Sequence, residues 1–201
     1  LFETIEDRRE RLPEGSYTPA YSGGPPEIKG LGYHLGTANI VRSLLSARGR
    51  GTDVFFQYWT RPYAPDVRVS SLIAHDGVIK PTGISYAIAG WMIDGYEPMG
   101  ALRLGEYVQC YVFKDNDGRG AAALWDRRPF DSDPRTRVAL TLGGLPVRPL
   151  DLFANPFAAE KRDAMTIVPV GYHPVVLKSD DADALLKALK SAKAVSRGQD
   201  V

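Results

Sequence analysis

Tyr107-Val108-Gln109-Cys110-Tyr111-Val112-Phe113, then Lys114-Asp115-Asn116-Asp117-Gly118-Arg119, then Gly120-Ala121-Ala122-Ala123-Leu124-Trp125 decides the fold. Two apolar, strand-like runs flank a short polar segment with Asp-Gly at its tip. That pattern predicts a β-hairpin. Downstream, Arg137–Leu142 alternates in and out, and Val147–Leu152, Met165–Val168 and Pro174–Leu177 are further short apolar runs between turn residues. Strands at such regular short spacing predict an antiparallel sandwich.

The end of the chain returns to helix. Ser179 or Asp180 can cap it, acidic residues occupy its first turn, lysines follow, and Leu185, Leu186 and Leu189 form an apolar stripe. Residues after Ala194 are expected to fray.

Upstream the texture is different. Glu6 to Pro26 is charged and then rich in Gly, Pro, Ser and Tyr, which reads as a long loop. Leu31, Leu35, Ala38, Val41 or Arg42, and Leu45 recur at helical spacing, with Gly49 and Gly51 as a stop. Val54-Phe55-Phe56-Gln57-Tyr58-Trp59 reads as a buried strand between Gly51 and Pro62. A second helix is expected from Pro81, with Ile84, Ala87, Ile88, Trp91 and Met92 as its buried stripe and Gly95 as its end. Trp91 and Trp125 are both expected in the core. Helix, buried strand, loop and helix are a fragment of an α/β architecture.

Composition narrows the partners. The formal net charge is +1 and the basic residues are spread along the chain, so no nucleic-acid partner is expected. No run approaches the ~20 apolar residues of a membrane span, so no membrane is expected either. The single cysteine, Cys110, excludes a disulfide framework within the chain and reads as a small buried hydrophobe. The start at Leu1-Phe2-Glu3-Thr4 lacks both Met and the pattern of a signal peptide, and hints at a chain cut from something longer.

No cofactor is expected. Gly143-Gly144 lacks the lysine and serine of a phosphate loop, and no Gly-x-Ser-x-Gly elbow occurs. His34, His75 and His173 show no metal-ligand spacing. Asp115-Asn116-Asp117-Gly118 loosely matches the start of a calcium loop, but position 126 is Asp rather than the closing Glu, and a hairpin turn explains it better.

Two groups of motifs carry a resemblance. Ala38-Asn39-Ile40-Val41-Arg42-Ser43-Leu44-Leu45, Gln57-Tyr58-Trp59, Asp76–Pro81 and Tyr86–Trp91 together resemble the last repeat and a half of the (β/α)₈ barrel in clan A glycoside hydrolases. Ala121–Trp125, Leu150–Pro156 and Pro174–Leu177 are similar to the β-sandwich that follows that barrel, especially in β-xylosidase-like members. The resemblance covers residues 30 to 178. It implies the end of a TIM-type barrel over 1–96, an antiparallel β-sandwich over 97–178, and a C-terminal helix and tail over 179–201.

The resemblance also implies a retaining glycosidase acting on a carbohydrate substrate. A whole barrel takes about 250 residues. The activity would therefore be incomplete in this chain alone, and an N-terminal barrel polypeptide would be its partner. Glu3 would be the nucleophile, followed as it is by a long loop and a helix; its other reading is an exposed terminal glutamate. Trp59 would lie under the bound sugar at the C-terminal end of its strand, with Tyr58 and Tyr63 as neighbours, or else pack that strand against the next loop. The alternative function is a non-catalytic β-sandwich module that binds carbohydrate or protein.

Overall fold

The computed structural model describes residues 26–53, 55, 72–74, 76–128, 138–163 and 165–196, with the side chains of the first helix described from residue 36. Helix α1 spans Pro26–Gly49 and helix α2 Pro81–Met92. Among the described residues nine strands follow: β1 Tyr96–Leu104, β2 Val108–Asp115, β3 Gly120–Asp126, β4 Val138–Leu142, β5 Arg148–Leu150, β6 Glu160–Arg162, β7 Met165–Val170, β8 Val175–Ser179 and, after helix α3 (Ala182–Lys190), β9 Lys193–Ser196. They form a five-stranded sheet in the order β1-β2-β3-β8-β5 and a four-stranded sheet in the order β6-β7-β4-β9. Every pairing is antiparallel.

The β2–β3 hairpin forms as expected. Val108 pairs with Asp126 and Lys114 with Gly120. The Asp115 carboxylate accepts the backbone N–H groups of Asp117 (3.0 Å) and Arg119 (2.8 Å) and pairs with the Arg119 guanidinium at 2.7 Å. That carboxylate is occupied by its own turn, and no cluster able to hold a metal ion exists among the described residues.

Side-chain alternation in the central strands explains the layering. Val108, Cys110 and Val112 of β2, Ala122 and Leu124 of β3, and Val175 and Leu177 of β8 face the second sheet. There they meet Val138, Leu140 and Leu142 of β4 and Val168 and Val170 of β7. The intervening residues Tyr111, Phe113, Ala121, Ala123, Trp125 and Val176 face the other way, onto Val41, Leu44 and Leu45 of α1 and Ala89 and Met92 of α2. All seven residues of β3 are therefore buried. A half-solvated antiparallel strand would alternate; this one is covered by a sheet on one face and helices on the other.

Helix α3 closes one end of the sandwich. Asp181 caps it by accepting the Ala184 N–H at 2.8 Å, and Leu185 and Leu189 sink into the inter-sheet core.

Four expectations need correction. Helix α1 begins at Pro26, inside the stretch read as loop, because Pro suits a first helical turn. The tail beyond Ala194 continues to Ser196 as β9, paired along β4, so a tertiary partner holds a segment whose composition suggests fraying. The Asp181 side chain, not Ser179 or Asp180, caps α3. Finally, α2 is rotated. Its buried residues are Thr82, Ser85, Ala89 and Met92, while Ile84 is 44% and Trp91 72% exposed. The small residues face inward because α2 lies close against its neighbours: a Cβ on Gly83 would stand 2.5 Å from the Leu72 carbonyl oxygen. Trp125 is in the core as expected; Trp91 is not. Among the described residues no helix is long and apolar enough to cross a membrane.

Candidate functional site

Glu3, Tyr58, Trp59 and Tyr63 lie outside the described residues, as do His75 and all of the expected strand Val54–Trp59 except Phe55. Phe55 packs against the helical side of the core, its ring 6.2 Å from that of Tyr86.

Two of the motifs that carried the resemblance hold the structure together, one as a joint and one as a turn. Arg42 of α1 donates from Nη2 to the backbone carbonyls of Asp126 and Tyr172, and its guanidinium lies 3.7 Å from the Tyr172 ring centroid and 5.8 Å from that of Trp125. The Tyr172 hydroxyl donates to Asn39 Oδ1 at 3.1 Å. Asn39 and Arg42 thus bolt the helix to the ends of β3 and β7. In Leu150–Pro156, the Asp151 carboxylate accepts the N–H groups of Phe153 (2.8 Å) and Asn155 (2.9 Å) and the Asn155 side-chain amide (3.0 Å), folding a turn that carries Ala154 at φ 61°.

One cleft gathers chemistry-bearing side chains. It has a volume of about 610 Å³ and lies where α2 ends above the outer face of the five-stranded sheet. Trp91 stands at its rim and Tyr96 on one wall, with Lys178 and Arg148 on the sheet and Asp94 and Asp180 at the margins. Strand register puts Arg148 and Lys178 opposite one another in the β5–β8 pair. Their side chains share the helix-facing side, the side of Val176 and Leu150.

The Lys178 ammonium donates to the Met92 carbonyl at the end of α2 and sits 4.0 Å from the Tyr96 ring centroid. Burial pushes its pKa down to about 8, and the neighbouring Arg148 charge adds to the effect. Burial likewise raises the Tyr96 hydroxyl, with the Asp115 carboxylate adding to it. Arg119, also in the lining, is already engaged by Asp115 and Asp117, each at 2.7 Å.

The lining brings an aromatic face together with cations and carboxylates. Sequence reasoning missed it. The available signals were Lys178 at the end of an apolar strand and a tryptophan on the last turn of α2.

The fold defines the class: two helices that cover one face of a two-sheet antiparallel β-sandwich. No protein-family model matches the sequence. No curated protein matches it either. Among solved structures, a family 39 glycoside hydrolase from the gut symbiont Bacteroides cellulosilyticus WH2 is similar in fold, with a TM-score of 0.54 and 14% identity, covering 78% of this chain and 31% of that one. The likeness is one of fold, and the chain spans about a third of that protein's length.

Proposed function

We propose that this chain is the C-terminal portion of a retaining glycoside hydrolase, with α1 and α2 as the last helices of its (β/α)₈ barrel and the sandwich as the domain that braces them. The observation that carries this reading is the fold likeness to a glycoside hydrolase over 78% of the chain. A second observation agrees with it. The outward face of α2 presents Ile84 and Ala87 at i and i+3, and Val78 and Ile79 just before it are 61% and 60% exposed. A helix with apolar residues on its free side suits one flanked by further barrel helices.

In this reading Glu3 is the nucleophile, and the acid/base carboxylate comes from an N-terminal barrel polypeptide, about 5 Å away across the scissile bond. The acid/base carboxyl group protonates the leaving oxygen as Glu3 attacks the sugar and the glycosidic bond breaks; water, giving its proton to that same carboxylate, then hydrolyses the glycosyl-enzyme and frees Glu3. Trp59, flanked by Tyr58 and Tyr63, stacks under the sugar ring.

The test is native mass spectrometry of the chain together with its N-terminal barrel polypeptide, followed by an aryl-glycoside assay. The expected result is a stable complex whose activity Glu3→Gln abolishes. Failure to associate, or full activity in Glu3→Gln, would refute the reading. The cleft beside Trp91 favours a second reading, a non-catalytic module that binds carbohydrate, which predicts ligand binding by this chain without any hydrolysis.

A further inference from the structure

The five-stranded sheet contains an arrangement that costs stability and needs a reason. Arg148 and Lys178 are directly cross-strand and on one face, where like charges destabilise a sheet. Neither forms an ion pair with a carboxylate among the described residues. Arg119, the third cation of the cleft, is paired with two carboxylates, whereas Lys178 rests on the Met92 carbonyl and the Tyr96 ring face and neither it nor Arg148 has a carboxylate among the described residues. The Lys178 ammonium spends one of its three donors on the Met92 carbonyl. Two cations side by side around one cavity without a carboxylate of their own are matched by an anion from outside.

The rest of the lining says what kind of anion. Trp91 is 72% exposed at the rim, a flat apolar surface suited to the C–H face of a sugar ring. Asp94 and Asp180, both exposed, stand ready to accept hydroxyl hydrogens. A bare inorganic anion would use the cations and leave the indole and the carboxylates without a purpose.

We propose that this cleft is a binding site for an acidic sugar, a uronic acid unit of an oligosaccharide, whose carboxylate bridges Arg148 and Lys178 while its ring stacks on Trp91. The site lies at the junction of α2 and the sandwich and is built without Glu3 or Trp59.

The test is titration of the full chain with trigalacturonate, with neutral xylotriose and with inorganic phosphate, following the indole N–H resonances, that of Trp91 being assigned with Trp91→Phe. Trigalacturonate should move the Trp91 resonance and bind at least about tenfold more tightly than xylotriose, the worth of one charge-assisted hydrogen bond. Lys178→Met, Arg148→Gln and Trp91→Ala should each weaken it by a similar factor. Arg148 and Trp91 are exposed, so their variants keep the test valid should Lys178→Met fold poorly.

Equal affinity for xylotriose would overturn the role of the cations. Phosphate binding as tight as that of the uronate, with Trp91→Ala unaffected, would overturn the sugar. No shift of the Trp91 resonance at millimolar ligand would overturn the site. None of these measurements involves hydrolysis, so their failure and the failure of the glycosidase reading are separate results.

Discussion

Replacing Gly49 with alanine should destabilise the protein, although glycine-to-alanine changes within helices ordinarily stabilise by up to ~1 kcal/mol. Gly49 is the last residue of α1, where the helix rests on the five-stranded sheet. A Cβ there would lie 2.3 Å from Tyr111 Cδ1, 2.5 Å from its Cγ and 2.8 Å from its Cβ. Carbon atoms in contact sit about 3.5–4.0 Å apart. The clash falls on the root of the side chain rather than on a movable tip. Tyr111 is fully buried, and its ring lies 5.6 Å from that of Trp125. The ring has nowhere to swing, so α1 must lift.

Overpacking of this kind costs about 1–3 kcal/mol, which outweighs the propensity gain at a helix end. A loss of that size lowers Tm by roughly 3–10 °C in a chain of this length. The assay is urea denaturation with Gly90→Ala as control. Gly90 is inside α2, with nothing within 4 Å of its would-be Cβ, and that variant should gain ~0.5–1 kcal/mol. A Gly49→Ala protein as stable as the parent would mean that α1 does not rest on Tyr111, and the helix-on-sheet layering would fall with it.

Other outcomes follow from the same contacts. Arg42→Met removes two hydrogen bonds to buried strand ends and the stack on Tyr172, and should cost about 2–4 kcal/mol in urea denaturation. The lowered Lys178 pKa means that between pH 8 and 10.5 the unfolded chain binds the extra proton, so this residue makes stability rise with pH across that window. The full displacement corresponds to ~3 kcal/mol, and partial solvent access reduces it to ~1–2 kcal/mol. Lys178→Met should abolish that rise, and an unchanged difference between parent and variant across the window would contradict it. Cys110 works the other way: burial holds its thiol protonated while the unfolded thiol ionises from about pH 8.5, so its contribution is lost as pH rises and Cys110→Ala should remove the loss. In the native state Cys110 should react with a thiol reagent only as fast as the protein opens.

Much of the β half was legible because its signals are local. The Asp-Gly turn, the alternating runs and the acidic start of α3 all act between residues a few positions apart. β1 was missed because Tyr96–Leu104 has little apolar alternation, and it is a strand chiefly because β2 offers it a ladder. β6, with all three residues exposed, depends on β7 in the same way. The α2 error has another origin. Periodicity identifies the apolar stripe of a helix but not which face meets the protein, and here small residues meet the core and the larger apolar side chains face out.

The sequence by itself determined that a hairpin-rich sandwich follows a helical segment, because turn chemistry and periodicity are properties of neighbouring residues. The tertiary structure alone decided that β3 is buried on both faces, that Asn39 and Arg42 serve as a joint, and that Lys178, Arg148 and Trp91 share a cleft. Those three lie far apart along the chain, and only the pairing of β5 with β8 beneath the end of α2 brings their charges and the indole face together.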